Sequence, residues 1–198
     1  MKLYILKIDE SWSESLVANI LSLRLRGLIV TWVKELKRLI LIANGTPDDK
    51  AVAIICHHLN SEHETVAGIT KPLRKGLEVF TELPTYVSRL RGLKKILVVL
   101  DQENQELAVL KDSIYKKIRD AGVCVCSSST MCDRAIELRC EYYGRVFTLI
   151  LVINGMDKIR CNKHTIEDHF LTAALSMRII NDLAEACEGS QKRLEETG

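Results

Sequence analysis

Runs of consecutive apolar residues recur along the chain and alternate with segments whose apolar positions return every three or four residues. The runs predict strands at Lys2–Lys7, Leu28–Val33, Leu39–Ala43, Thr65–Ile69, Lys95–Leu100, Val123–Cys126 and Val146–Ile153. Several are apolar without a polar alternation, the pattern of strands covered on both faces. Helical spacing predicts helices over Ser13–Leu25, Asp48–Leu59, Asn104–Ala121 and Thr165–Cys187, the third carrying Leu107, Leu110, Ile114 and Ile118 on one stripe. A further helix is expected over Thr130–Tyr142, capped by Ser127–Thr130. Strands alternating with helices predict an α/β fold with a mainly parallel, Rossmann-like sheet flanked by helices. Ligands of such folds gather beyond the carboxyl ends of the strands. Residues 1–37 read β-α-β and are expected to pack on the core as an extension, residues 38–184 to form the main α/β domain, and the acidic stretch 185–198 to fray.

Composition narrows the classes. A length of 198 residues suits one domain with a sizeable core, and 47% hydrophobic with 27% charged residues excludes a disordered chain. Net charge is only +2, so a nucleic-acid site would have to be a local patch, and 5% aromatics makes base-stacking platforms a poor expectation. No apolar stretch approaches the ~20 residues that cross a bilayer, and Met1–Glu10 does not read as a signal peptide, so the expectation is a cytoplasmic protein without a membrane partner. Seven cysteines, an odd number, argue against a disulfide framework. Cys124, Cys126, Cys132 and Cys140 lack the paired C-x2-C knuckles of structural zinc and read as small core residues.

Chemistry concentrates at three strand ends. Leu39–Ala43 runs into Asn44-Gly45-Thr46-Pro47-Asp48-Asp49, where Gly45 permits a tight turn and Pro47 suits a first helical position. Lys95–Leu100 runs into Asp101-Gln102-Glu103, whose two carboxylates share a side if the backbone stays extended. The last strand ends in Asn154-Gly155, a strong turn pair, with Asn154 and Asp157 as additional edge candidates, and a loop leads to His164-Thr165-Ile166-Glu167-Asp168-His169. Carboxylates converging at a sheet edge suit magnesium or manganese, hard ions that prefer oxygen ligands. The structural alternative is that these acids cap the helices that follow them. A basic run completes the set: seven cationic residues between Lys71 and Lys95 against Glu78 and Glu82 give a local +5. Lys71, Arg74 and Lys75 follow the strand Thr65–Ile69 and would lie on the same edge as Asp101, where they could hold a phosphate backbone or simply form a solvated face.

The order of these motifs resembles the Toprim domain, the catalytic module of topoisomerases, primases and OLD-type nucleases. Asn44-Gly45 stands where that family has Glu-Gly, with Asp48 or Asp49 as its trailing acid; Asp101-Gln102-Glu103 is similar to its Asp-x-Asp, and Ile166-Glu167-Asp168 to an Ile/Leu-Glu-Asp element of small members. The likeness spans Arg38 to Ser176. It implies a Toprim-like fold and magnesium- or manganese-dependent cleavage of nucleic acid. Asp101, Glu103, Glu167 and Asp168 would be the metal-binding residues. Asn44, Asp101 and Glu103 would form the catalytic set, and Lys71, Arg74 and Lys75 the nucleic-acid contacts. Asparagine at position 44 cannot exchange a proton near neutral pH, so the same resemblance also allows a scaffold that binds nucleic acid or protein without turnover. A homo-oligomer or a place in a larger complex is a further expectation for so small a chain.

Overall fold

The computed structural model describes residues 2–6, 14–24, 29–31, 36–44, 47–59, 66–157 and 162–180. Among them the elements run β1 (Lys2–Leu6), α1 (Glu14–Ser22), β2 (Ile29–Thr31), β3 (Arg38–Ile42), α2 (Asp48–Leu59), β4 (Val66–Thr70), a 3-10 helix (Gly76–Glu82), α3 (Leu83–Arg89), β5 (Lys95–Asp101), α4 (Leu107–Asp120), β6 (Cys124–Cys132), β7 (Ala135–Tyr142), β8 (Arg145–Asn154) and α5 (Glu167–Ser176). All eight strands join one sheet in the order β2-β1-β4-β3-β5-β8-β7-β6. The first six in that order pair in parallel, and β7 and β6 close the far end antiparallel. The fold is therefore α/β and Rossmann-like in class, and the strands of the first 37 residues extend the same sheet through the β1–β4 pairing.

Two layers of helix explain why β3 reads as one apolar run. Leu39 and Leu41 face a core built with Phe80, Leu83 and Val87 and, from α4, Leu110, Ile114 and Ile118. Ile40 and Ile42 face the other core, with Ile20 of α1 and Val52, Ala53 and Cys56 of α2. Successive strand residues point to opposite faces, so a strand buried on both has no polar position to offer. From β3 the chain crosses through α2 to β4 on one side, whereas from β5 it leaves through α4 on the opposite face toward β6 at the far edge. The strand order thus reverses between β3 and β5, which opens a crevice at their carboxyl ends.

Three expectations are corrected. Thr130–Tyr142 is not helical: β6 turns at Asp133-Arg134 into β7, which pairs along its whole length with β8. Ile136, Leu138 and Cys140 are buried, every second residue, so the relevant period is two. The expected strand Val123–Cys126 is the start of the nine-residue β6, whose side chains are mostly exposed because it forms the sheet's outer edge. Cys124, Cys126 and Cys132 are accordingly surface residues; of the described cysteines only Cys56 and Cys140 are buried. The last helix stops at Ser176, with Arg178 in the left-handed region beyond it. Gly45, Thr46, the tail 185–198, Cys161 and Cys187 lie outside the described residues.

Candidate functional site

Three neighbouring parallel strands, β3, β5 and β8, deliver polar residues to one point at their carboxyl ends. Asn44 follows β3, Asp101 ends β5, and Asn154 ends β8, directly opposite Asp101 in the ladder. Asp48 comes from the first turn of α2, where acids suit the helix dipole. The Asn154 side-chain amide donates to both acids, to Asp101 Oδ1 at 3.0 Å and to Asp48 Oδ1 at 3.2 Å. Asn44 Nδ2 donates to the second oxygen of Asp101 at 2.7 Å. Two buried carboxylates therefore share one amide, and the more central of them is held on both oxygens.

Burial decides the electrostatics. Desolvation pushes the Asp48 carboxyl up to about 7, reinforced by the neighbouring Asp101 and, more weakly, by Glu167 and Asp49, against a backbone hydrogen bond that lowers it. Asp101 is raised for the same first reason, with Glu167 and Glu103 adding to it and the Asn154 and Asn44 amides opposing. Such a pair holds a proton near neutral pH unless a cation takes its place.

The other residues expected from sequence are placed around this pair. Glu103 does not continue β5: its φ of +58° turns the chain, so Asp101 and Glu103 are not successive same-side residues of an extended strand. Its backbone instead exchanges two hydrogen bonds with His164, and its carboxylate lies 3.6 Å from Lys163 Nζ. Glu167, at the start of α5, is exposed and close enough to act on both Asp48 and Asp101. Asp168 is buried and otherwise engaged: one oxygen accepts from the Met156 backbone N–H at 2.8 Å and contacts His164 Nδ1 at 2.9 Å. It fastens the loop after β8 to α5. Lys71 Nζ lies 4.0 Å from the fully buried Asp49 carboxylate, and Arg74 turns back on the 3-10 helix through Thr81. Lys75 lines the wall of a cleft of about 390 Å³ whose other residues include Asn44, Asp101, Leu77, Leu100 and Leu110.

Three participants carry more weight in the structure than in the sequence: Asp48, read from sequence only as one of two trailing acids, Asn154 and Arg134. Asn154 reads as half of an Asn-Gly turn, yet it is the bridge; its signal was its place at the end of a third, mainly apolar strand. Arg134, in the β6–β7 turn, donates from Nη2 to Gln102 Oε1 at 2.7 Å and to Asp157 at 2.5 Å, while its Nη1 is buried without a partner among the described residues. Gly155 is required behind the bridge. Its φ is +123°, and a Cβ there would stand 2.6 Å from His164 Cβ. Gly155→Ala is expected to cost about 2 kcal/mol or more in urea unfolding, since it combines a forbidden backbone region with a clash.

The donor chemistry here, carboxylates and amide groups, suits a hard divalent cation. Among the described residues no group of three or more His, Cys, Asp or Glu side chains is gathered tightly enough to hold an ion as it stands. No helix of the described residues is long and apolar enough to cross a membrane. No family model matches the chain, and neither a curated protein nor a solved structure matches it.

Proposed function

We propose that this edge is a divalent-cation site for phosphodiester chemistry on nucleic acid, a nuclease-like Toprim protein using magnesium or manganese. The observation that carries the reading is the pair of buried carboxylates, Asp48 and Asp101, held side by side by the Asn154 amide at the point where the strand order reverses. Asp48 and Asp101 would hold the ion, and Glu167 and Glu103 would close on it by side-chain rotation from the rim. A bound ion there supplies Lewis acidity and charge neutralisation at a phosphoryl oxygen. The chain's own residues do the rest. Asn44 and Asn154 fix the carboxylates by hydrogen bonds, Lys75 offers a cation to the phosphate from the cleft wall, and the apolar floor of Leu77, Leu100 and Leu110 limits water around the reacting group. Asp168 acts by positioning α5 rather than as a ligand in this arrangement.

One observation favours a second reading, a scaffold that binds without turnover. Asn44 donates to Asp101 where the resembled family has a glutamate, so no acid stands at that place to move a proton.

The test is manganese- and magnesium-dependent cleavage of single- and double-stranded DNA and RNA by the wild type, Asp101→Ala and Asn44→Glu. Cleavage that falls about a hundredfold or more in Asp101→Ala supports the enzyme. Equal activity in Asp101→Ala assigns the cleavage to a contaminant. An inactive wild type with an active Asn44→Glu supports the binding scaffold.

A further inference from the structure

The cysteines at the outer edge of the sheet form an arrangement that the carboxylate site does not use. Cys124 and Cys126 both lie on β6 and both are exposed. In the ladder Val125 pairs with Cys140 and Ser127 with Arg139, so Cys126 is an extra residue without a partner, and the strand bulges at it. A bulge bends the strand and re-aims the side chain it carries. Here the two exposed thiols stand two residues apart on one edge strand, next to the bulge, and near enough for Cys124 to act on the Cys126 thiol. The third nearby thiol, Cys140, is buried in the core below, and burial pushes it up to about 12, so it stays protonated and does not compete. Cys124 also lines a cleft of about 490 Å³ between β6 and α4, together with Asp112, Tyr115 and Arg119. The cleft is large enough for one end of a small peptidic disulfide, and its one acid, Asp112, and one cation, Arg119, are of the kinds that bind the amines and carboxylates of such a molecule.

We propose that Cys124 and Cys126 are a surface dithiol that exchanges with a low-molecular-weight disulfide and closes into an intramolecular disulfide. The Cys124 thiolate, formed by loss of its proton to solvent, attacks one sulfur of the small disulfide. The S–S bond of that molecule breaks, its first half leaves as a thiolate that takes up a proton, and a mixed disulfide remains on Cys124. Cys126 then loses its proton and attacks the Cys124 sulfur. The mixed disulfide breaks, the second half leaves as a thiol, and a Cys124–Cys126 bond remains. The protein is oxidised by two electrons and loses two hydrogen atoms; the small disulfide is reduced to two thiols. The Cys126 thiol is raised, by desolvation first and then by Cys124 and Glu141, which suits it to the second, intramolecular step, where proximity replaces thiolate abundance.

The full-length protein, incubated with glutathione disulfide and then alkylated and digested, reads the outcome. The wild type is expected to accumulate the internal Cys124–Cys126 link, while Cys132, exposed at the other end of β6, takes up only a mixed adduct. Cys126→Ser, a substitution at an exposed position, should trap the mixed adduct on Cys124. With both thiols fixed beside the bulge on one strand, the ratio of internal link to adduct is expected to be about tenfold or more higher in the folded protein than in guanidinium-unfolded chain. Separate adducts on Cys124 and Cys126 in the folded wild type would overturn the proposal, as would an internal link that forms equally well in the unfolded chain.

Discussion

Asp48→Asn is expected to make the protein more stable at pH 8, by roughly 2–4 kcal/mol, and to leave it nearly unchanged at pH 3. The Asp48 carboxyl sits at about 7 in the folded protein against an ordinary 3.8. Its folded value is raised, so the folded state binds the proton more tightly than the unfolded chain does. The stability linked to that proton is fully present below the unfolded value and is lost as pH rises from about 4 through 7. Asparagine is the neutral isostere: it keeps an oxygen for the Asn154 amide and removes the charge that burial and Asp101 oppose. Urea unfolding from pH 3 to 8 should show a falling stability for the wild type and a flatter one for the variant. The residual slope would belong to Asp101, whose raised carboxyl has the same sign. A wild type equally stable at pH 4 and pH 8 would sink this account of the pair. Gains in stability on removing a buried charge are the usual signature of a group kept for function rather than for folding.

The largest loss is expected at the bridge. Asn154→Ala removes one amide from two buried carboxylates at once, and should destabilise the protein by about 3 kcal/mol at pH 8. The loss should shrink at pH 4, where neutral carboxyls no longer need a donor between them. It should also shrink in the Asp48→Asn background, because one of the two charges facing the amide has gone; that non-additivity, measured as a double-mutant cycle, separates the bridge from a simple cavity. Equal losses at both pH values and in both backgrounds would mean that Asn154 only fills space.

These two effects also show what the sequence made legible. Two of the strands that carry the site, β3 and β5, are apolar between their end residues, and their burial on both faces follows from that pattern; β8, with Thr148 in its run, is buried mainly on one face. Asp101 at the end of β5 was legible because a charged residue that follows an apolar run lies at the sheet edge; Asp48, read only as one of two trailing acids before α2, was not singled out as a ligand. The β6–β7 hairpin was not, because its apolar residues Ile136 and Cys140 fit a helical spacing as well as an alternating one. Pairing with β8, an interaction with residues far along the chain, decides between them. Glu103 was misplaced because the left-handed turn that carries it is stabilised by a backbone bridge to His164, a contact that a local reading of Asp-x-Glu cannot contain. Asn154 was undervalued because Asn-Gly is a common turn pair, and only the three-dimensional meeting of β5 with β8 reveals the second use of its side chain.

That meeting has one more consequence. The β5–β8 ladder runs unbroken from Lys95 opposite Thr148 to Asp101 opposite Asn154. A slip of a single residue anywhere along it would swing Asn154 to the other face and carry it away from Asp101. The carboxylate pair is therefore a gauge of the sheet's alignment: only a chain that has threaded every rung correctly brings the amide between the two acids, and a misaligned one is left with two buried charges and nothing to reconcile them.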